Sequence, residues 1–243
     1  MNLSNLKAVI LAGGKGSRLY PITKEIPKPL LPVKRRPILN YLIDLFHSFG
    51  IKEIAILINK DFREDFDWWE KRYYPKNKIK IVEEKKPLGT FGGLWLLRNW
   101  LKDPFFLTNG DELKKIDLIK MASFHQKLKT PATVAMTKVP NPKDYGVVIC
   151  KKGIVQKFLE KPSPAQISRK FMAGKKSTNY INAGLYLFSP EIFNYHPGLK
   201  FSMVEKDILP KLAKEKKLAG FKFNGKWLDC GNWRGYERAL RRW

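Results

Sequence analysis

Four short apolar runs in the first half of the chain constrain its fold more than any other feature: KAVILA (7–12), EIAILI (53–58), IKIVEE (79–84) and PFFLTNGD (104–111). The stretches between them have helical character. ILNYLIDLFHSFG places Ile38, Leu42, Leu45, Phe46 and Phe49 on one helical face and stops at Gly50. DFREDFDWWEKRY reads as a second helix, and FGGLWLLRNWL as a third despite its glycines. Repeated strand–helix alternation predicts an α/β fold: a mostly parallel sheet with right-handed crossovers and helices on both faces. Beyond residue 130 the pattern turns β-rich, through ATVAMT, GVVIC, IVQKFLE, YINAGLYLF, KLAGFKF and KWLDC. That shift predicts a substrate-side lobe grown from the same sheet. RKFMAGKKSTN (169–179) reads as a polar, mobile loop and NWRGYERALRRW as a short final helix. There is no internal repeat and no hexapeptide β-helix.

A length of 243 residues fits a single domain, and 44% apolar residues suffice for a packed core. No apolar run approaches the ~18 residues of a membrane span, and the opening MNLSNLKAVILAGG does not read as an export signal. With only Cys150 and Cys230, no disulfide framework is expected, and the expected compartment is the cytoplasm. The charge is unusual: 47 Lys+Arg against 22 Asp+Glu, a net +25. These cations are scattered and accompany no nucleic-acid motif. The expectation is a lysine-rich surface with no specific nucleic-acid partner, weak contact with an anionic surface being the alternative.

The first strand runs into LAGGKGSRL (11–19), three glycines set among a lysine, a serine and an arginine. A kinase-type P-loop needs glycine, lysine and hydroxyl in succession, and Lys15 instead lies between Gly14 and Gly16. The dinucleotide fingerprint fails as well, since Leu19 stands where its third glycine belongs and no acid occurs between Glu25 and Asp44. What remains is a glycine turn at the carboxyl end of the first strand, where open α/β sheets bind ligands. Its backbone can approach a triphosphate closely. Arg18 offers a rigid fork to phosphate oxygens, and Lys28 adds a point charge on the stiff, proline-rich segment PITKEIPKPLLP.

LAGGKGSRLYPITKEIPKPLLPV resembles the signature of the nucleotide-sugar pyrophosphorylases, or sugar-1-phosphate nucleotidyltransferases: G-G-x-G-[ST]-R-L followed by P-K-x-L. The resemblance continues in order through PLGTFGGL, NGD, YGVV, FLEKP, INAGLYLF, SMVEKDILP and WLDCGNWRGYERA, and covers essentially the whole chain. It is closest in pattern to the guanylyltransferases of mannose 1-phosphate and heptose 1-phosphate. It implies a Rossmann-like mixed sheet flanked by helices, in a single domain over 1–243. A nucleotide-binding half over about 1–130 would precede a β-rich sugar-binding half over about 131–243. The implied reaction joins a sugar 1-phosphate to a nucleoside triphosphate, by in-line attack of the sugar phosphate on the α-phosphorus with loss of pyrophosphate. Such chemistry depends on positioning, cations and a metal rather than a covalent nucleophile. His47, His125 and His196 accordingly read as structural.

By the same resemblance Leu11, Ala12, Gly13, Gly14, Lys15, Gly16 and Ser17 lie along the nucleotide. Arg18 would grip the leaving pyrophosphate, Lys28 the α- and β-phosphates, and Lys161 the sugar phosphate. Asp111 and Asp229 would hold Mg²⁺, which favours one or two carboxylates plus phosphate. Asn109, Gly146, Glu160 and Asn182 fall on the sugar, and Gly89 and Thr90 on the base and ribose. Glu84, five residues before Gly89, stands where pyrimidine-transferring relatives commonly carry glutamine. A carboxylate only accepts hydrogen bonds, which suits the N1–H and 2-amino donors of guanine and favours GTP over UTP or dTTP. One departure is Asn232-Trp233-Arg234, where the family often shows Thr-Pro-Glu/Asp. A homodimer is an expectation by resemblance. The alternatives are a dTDP- or UDP-sugar pyrophosphorylase and, in another class, a non-catalytic regulatory or polyanion-binding protein on the same fold.

Overall fold

In a computed structural model, the structure describes residues 3–75, 79–163, 166, 180–196 and 198–243. All of RKFMAGKKSTN, the segment expected to be mobile, lies outside them.

The anticipated parallel strands form, as β1 (Lys7–Leu11), β4 (Glu53–Asn59), β5 (Lys80–Glu84) and β6 (Phe105–Asn109). They lie in the order β5-β4-β1-β6, every pair parallel. Helices α1 (Ile38–Ser48) and α2 (Arg63–Tyr73) supply crossovers, as the sequence pattern requires. The β-rich part adds β8 (Ala132–Lys138), β9 (Val147–Lys151), β10 (Ile154–Leu159), β11 (Tyr180–Phe188) and β12 (Leu218–Lys222). These extend the same sheet beyond β6 as β11-β8-β12-β10-β9, with β11 antiparallel to β6.

Alternation along each strand feeds two cores. Ala8, Ile10, Ile54, Ile56 and Phe106 face α1 and α2 together with Met121 of α4 (Leu118–Leu128). Val9, Ala55, Leu57, Phe105 and Leu107 face the opposite way, onto Leu94, Phe193, Ile208 and Leu212. Both faces are thus covered, as a parallel sheet requires.

FGGLWLLRNWL does not form the continuous helix expected of it. One α-helical turn, α3 (Gly89–Gly92), passes into a 3-10 stretch over Gly93–Leu97. Its glycines serve close approach instead: the segment packs against the carbonyls of Lys200 and Ser202, and the amides of Phe91 and Gly92 donate to Ser202 O.

A third, smaller core does the positioning. Leu19, Leu31 and Val33 from the proline-rich loop, with Ile38 at the start of α1, pack on Leu113, Leu228, Tyr236 and Ala239. Leu113 belongs to β7 (Glu112–Lys114), Leu228 to β13 (Trp227–Asp229), and the last two to the helix Trp233–Arg242. Tyr236 Oη donates to Pro32 O at 2.7 Å and Trp233 Nε1 to Tyr20 O at 3.3 Å, so this helix staples the loop in place.

Among the described residues no helix is long and apolar enough to cross a membrane, and both cysteines are free. The three histidines take structural places. His125 bridges Thr133 Oγ1 and Ser189 Oγ, and burial lowers its pKa to about 4. His47 packs edge-on against Tyr74 and His196 against Phe91. Several surface lysines stack on aromatic rings, with Lys138 and Lys222 over Tyr180 and Lys115 and Lys226 over Trp243.

Candidate active site

A cleft of about 520 Å³ opens at the carboxyl ends of β1 and β6. Every residue singled out from the sequence lines it except Gly16 and Ser17. Gly16 adopts the left-handed conformation (φ 67°), its carbonyl accepting from Leu19 N and Thr23 Oγ1. It therefore shapes the turn that launches Arg18, while Ser17 is exposed in the 3-10 turn that follows.

The charged end of the cleft is built by strand pairing. β13 runs antiparallel to β7 with Asp229 opposite Glu112, and Cys230 N donates to Asp111 O at 2.9 Å. Two carboxylates 118 positions apart in the sequence are thereby brought side by side. A Cβ added to Gly231 would lie 2.8 Å from Asp229 Oδ1, 3.0 Å from Arg18 Nη2 and 3.1 Å from Asp111 Oδ2, which places all three groups around one point. Lys28, on its 3-10 turn, reaches in so that Nζ lies 2.5 Å from Asp111 Oδ2.

Burial pushes the Asp111 carboxyl up, but the charge and hydrogen bond of Lys28, aided by Arg18, outweigh it and hold Asp111 below the usual range. Asp229 goes the other way: burial and then the negative charge of Asp111 raise it, against the Gly231 N–H, Arg18 and Lys28. One firm anion beside a second that ionises reluctantly is what a like-charged pair gives when it shares too few cations. The donor set is oxygen only. Among the described residues no cluster of three or more His, Cys, Asp or Glu side chains forms a closed cage. Two carboxylates with room for further oxygen ligands fit Mg²⁺, which keeps waters and takes substrate phosphates, better than they fit a structural zinc.

The opposite end holds Glu84, where β5 gives way to the loop before α3. Its Oε2 lies against Gly13, where an added Cβ would be 2.8 Å away, and its Oε1 lies against Gly93. The carboxyl thus occupies a slot walled by two glycines, with no cation beside it among the described residues. Burial alone raises its pKa to about 7. Thr90 turns its hydroxyl away from solvent: Oγ1 donates to Glu205 Oε2 at 2.7 Å and accepts from Val204 N at 2.8 Å.

The β-rich wall carries Gly146, Glu160, Lys161 and Asn182. Glu160 is raised by burial and then by Glu205, with Lys161 and Lys206 opposing. Lys161 has φ 42°, a conformation uncommon outside glycine. Its N–H donates to Tyr145 O and its ammonium, 4.0 Å from Glu160, extends into solvent. Asn182 donates to Tyr186 Oη at 2.7 Å and accepts from Gly184 N at 3.0 Å, which leaves it one N–H and one lone pair for a ligand.

Sequence reading missed Glu112, Tyr145, Glu205 and Trp227, which also line the cleft. Glu205 lay within the recognised SMVEKDILP, but only the fold shows it to be buried, in a π-helical turn over Val204–Ile208.

Cations and paired carboxylates thus line one end of a sheet-edge cleft and a carboxyl in a glycine slot the other, with hydrogen-bonding groups between them. The chain belongs to the nucleotidyl transferase family, whose model matches residues 7–242. Among its relatives, mannose-1-phosphate guanylyltransferase 1 of Arabidopsis thaliana is 36% identical over 250 aligned residues, covering 97% of this chain and 64% of that protein. This chain therefore spans just under two thirds of that relative's length. In structure it resembles HddC from Yersinia pseudotuberculosis complexed with GMP-PN (TM-score 0.79, 25% identity, 98% of this chain and 99% of that one). It also resembles a UDP-glucose pyrophosphorylase complexed with UDP-glucose (TM-score 0.77, 25% identity, 97% of both chains).

Proposed function

We propose that this chain joins a sugar 1-phosphate to a nucleoside triphosphate, with GTP the favoured nucleotide and mannose 1-phosphate the first sugar to test. The observation that carries the reading is the convergence of Arg18, Lys28, Asp111 and Asp229 on one point of a cleft whose far end is closed by Glu84. That span suits a nucleotide lying along residues 11–15 with its base at Glu84 and its phosphates at the cations.

In this reading Arg18 and Lys28 neutralise the triphosphate as the sugar phosphate approaches, the main obstacle when two polyanions must meet. Asp111 and Asp229 are the residues that would hold Mg²⁺, which when bound supplies further charge neutralisation at the phosphates. Lys161 and Glu160 draw in the sugar 1-phosphate, the first by charge and the second by accepting from hydroxyls. Asn109, Asn182 and the Gly146 backbone complete that wall. Glu84 accepts from guanine donors, and Gly89 and Thr90 shape the turn beside it. The nucleotide half over about 1–130, the sugar half beyond it, a homodimer and a cytoplasmic location belong to the same reading. The two free cysteines support the last.

The deciding experiment is a matrix of the four ribonucleoside triphosphates and dTTP against several sugar 1-phosphates, read as pyrophosphate release with and without Mg²⁺. GTP with mannose 1-phosphate is expected to be among the fastest pairs. Turnover confined to UTP or dTTP overturns the guanine assignment, and turnover of none overturns the reading.

A further inference from the structure

β11 leaves regular pairing where it crosses the floor of the cleft. Its ladder with β8 passes from Asn182↔Met136 to Tyr186↔Val134, and Gly184 in the gap has φ 55°. A bulge of this kind frees carbonyls that the ladder would otherwise satisfy. The ammonium of Lys114 meets them, donating to Ala183 O at 3.1 Å, Gly184 O at 3.2 Å and Thr108 Oγ1 at 2.8 Å. Thr108 Oγ1 itself donates to Gly184 O at 3.0 Å.

Lys114 is wholly buried, and Glu112 Oε2, 3.2 Å away, neutralises it. Glu112 has two further partners, accepting from Asn109 Nδ2 at 2.9 Å and from Trp227 Nε1 at 2.8 Å. Glu112 and Lys114 share a face because they are two apart on one strand, while Leu113 faces the third core.

We propose that the Glu112–Lys114 ion pair is a positioning device for the sugar side of the cleft. Lys114 holds the β11 bulge that presents Asn182 and Gly184, and Glu112 fixes the Asn109 and Trp227 side chains that face the same ligand. Neither residue is catalytic. The inference rests on reading this wall as the sugar side. Apolar replacements of buried ion pairs are often as stable as the pair itself, so the contribution here is direction: an ammonium aimed at two freed carbonyls, and two carboxylate oxygens each aimed at one N–H. Glu84 on β5 lies outside this network, and Thr90 of α3 meets it at one remove, through Glu205 and Tyr186 to Asn182.

The test compares wild type, Lys114→Met, Glu112→Leu and the double variant. Each single change strands a buried charge and lowers Tm, and the double change recovers most of that loss. In the double variant KM for mannose 1-phosphate rises by about 10-fold or more while KM for GTP stays within about twofold. The amide of Gly184 exchanges about 10-fold faster or more, while those of β1 are unchanged. A folded double variant with wild-type KM values and wild-type exchange overturns the proposal. Should the double variant fail to fold, Thr108→Val decides. It lies outside the cleft lining, and it should raise the sugar KM by about threefold and speed Gly184 exchange; no change in either overturns the proposal. A wild-type protein that turns over no substrate pair refutes the proposed function, and the exchange measurements still decide the positioning role.

Discussion

Two carboxyl groups at opposite ends of the cleft show how neighbours decide what burial does to a charge. Asp111 is partly buried yet held below the usual range, because Lys28 lies 2.5 Å away and Arg18 stands close by. Glu84, also partly buried, is raised to about 7 by burial alone, with no cation facing it among the described residues. One end is thus an anion flanked by two cations, the end that the proposed function gives to metal and polyphosphate. The other end, which the proposed function gives to the base, is a carboxyl that gains and loses its proton near neutrality, and its hydrogen-bonding character changes with it.

Removing the anion at the phosphate end should have the largest effect. Asp111→Asn leaves Lys28 without its partner and takes away one of the two proposed Mg²⁺ ligands, so kcat should fall by about 10³-fold or more. Pyrophosphate release across a Mg²⁺ titration measures this, and wild-type kcat with a wild-type Mg²⁺ dependence in the variant would remove Asp111 from the chemistry. Lys28→Met attacks the comparison from the other side. It should cost about 10²-fold in kcat/KM and let burial dominate at Asp111, so that its carboxyl moves up toward the behaviour of Glu84. Carbon-detected NMR titration of the aspartates reads the direction of that movement, and an unmoved Asp111 would mean that Lys28 is not what holds it down.

The same two ends differ in how far they were legible in the sequence. Residues 11–19 and the strand they follow could be read locally: an apolar run, a glycine turn and two cations in one short span. Lys28 was legible as a charge, but its partner was not, because the proline loop meets β7 only through the packing of Leu19, Leu31 and Val33 on Leu113 and Leu228. Asp229 beside Asp111 depends on a register between two three-residue strands, too short to leave a periodic signal. FGGLWLLRNWL misled because its apolar spacing is helical, whereas Gly92 answers to the backbone of Lys200, distant in sequence, and Gly93 to the Glu84 side chain. Glu112 and Lys114 did leave a trace, two opposite charges on alternate residues of an otherwise apolar strand. Their burial, which makes the trace meaningful, comes from elements far along the chain. Long-range pairing, not local propensity, made the rest invisible.

The base end yields smaller effects. Glu84→Gln restores a donor where the wild-type carboxylate only accepts, and should shift the GTP-to-UTP preference by about 10-fold toward UTP. In wild type, KM for GTP should rise as pH falls through about 7, where Glu84 takes up its proton, and this component should be absent in the variant. An unchanged nucleotide preference would separate Glu84 from base reading.

The smallest effect is on stability, and its sign is fixed by linkage. Glu84 titrates near 4.5 when unfolded and at about 7 when folded, so between those values the folded form binds more protons. Wild-type stability therefore declines as pH rises through that window and carries the full penalty above about 7. Glu84→Gln escapes the penalty. Relative to wild type it should gain on the order of 1 kcal/mol at pH 8, discounted from the full shift because the side chain is partly solvated, and almost nothing at pH 4.5. Denaturant melts at the two pH values measure the difference. An equal gain at both would trace the stabilisation to packing between Gly13 and Gly93 rather than to the charge, and the contrast with Asp111 would lose its electrostatic basis.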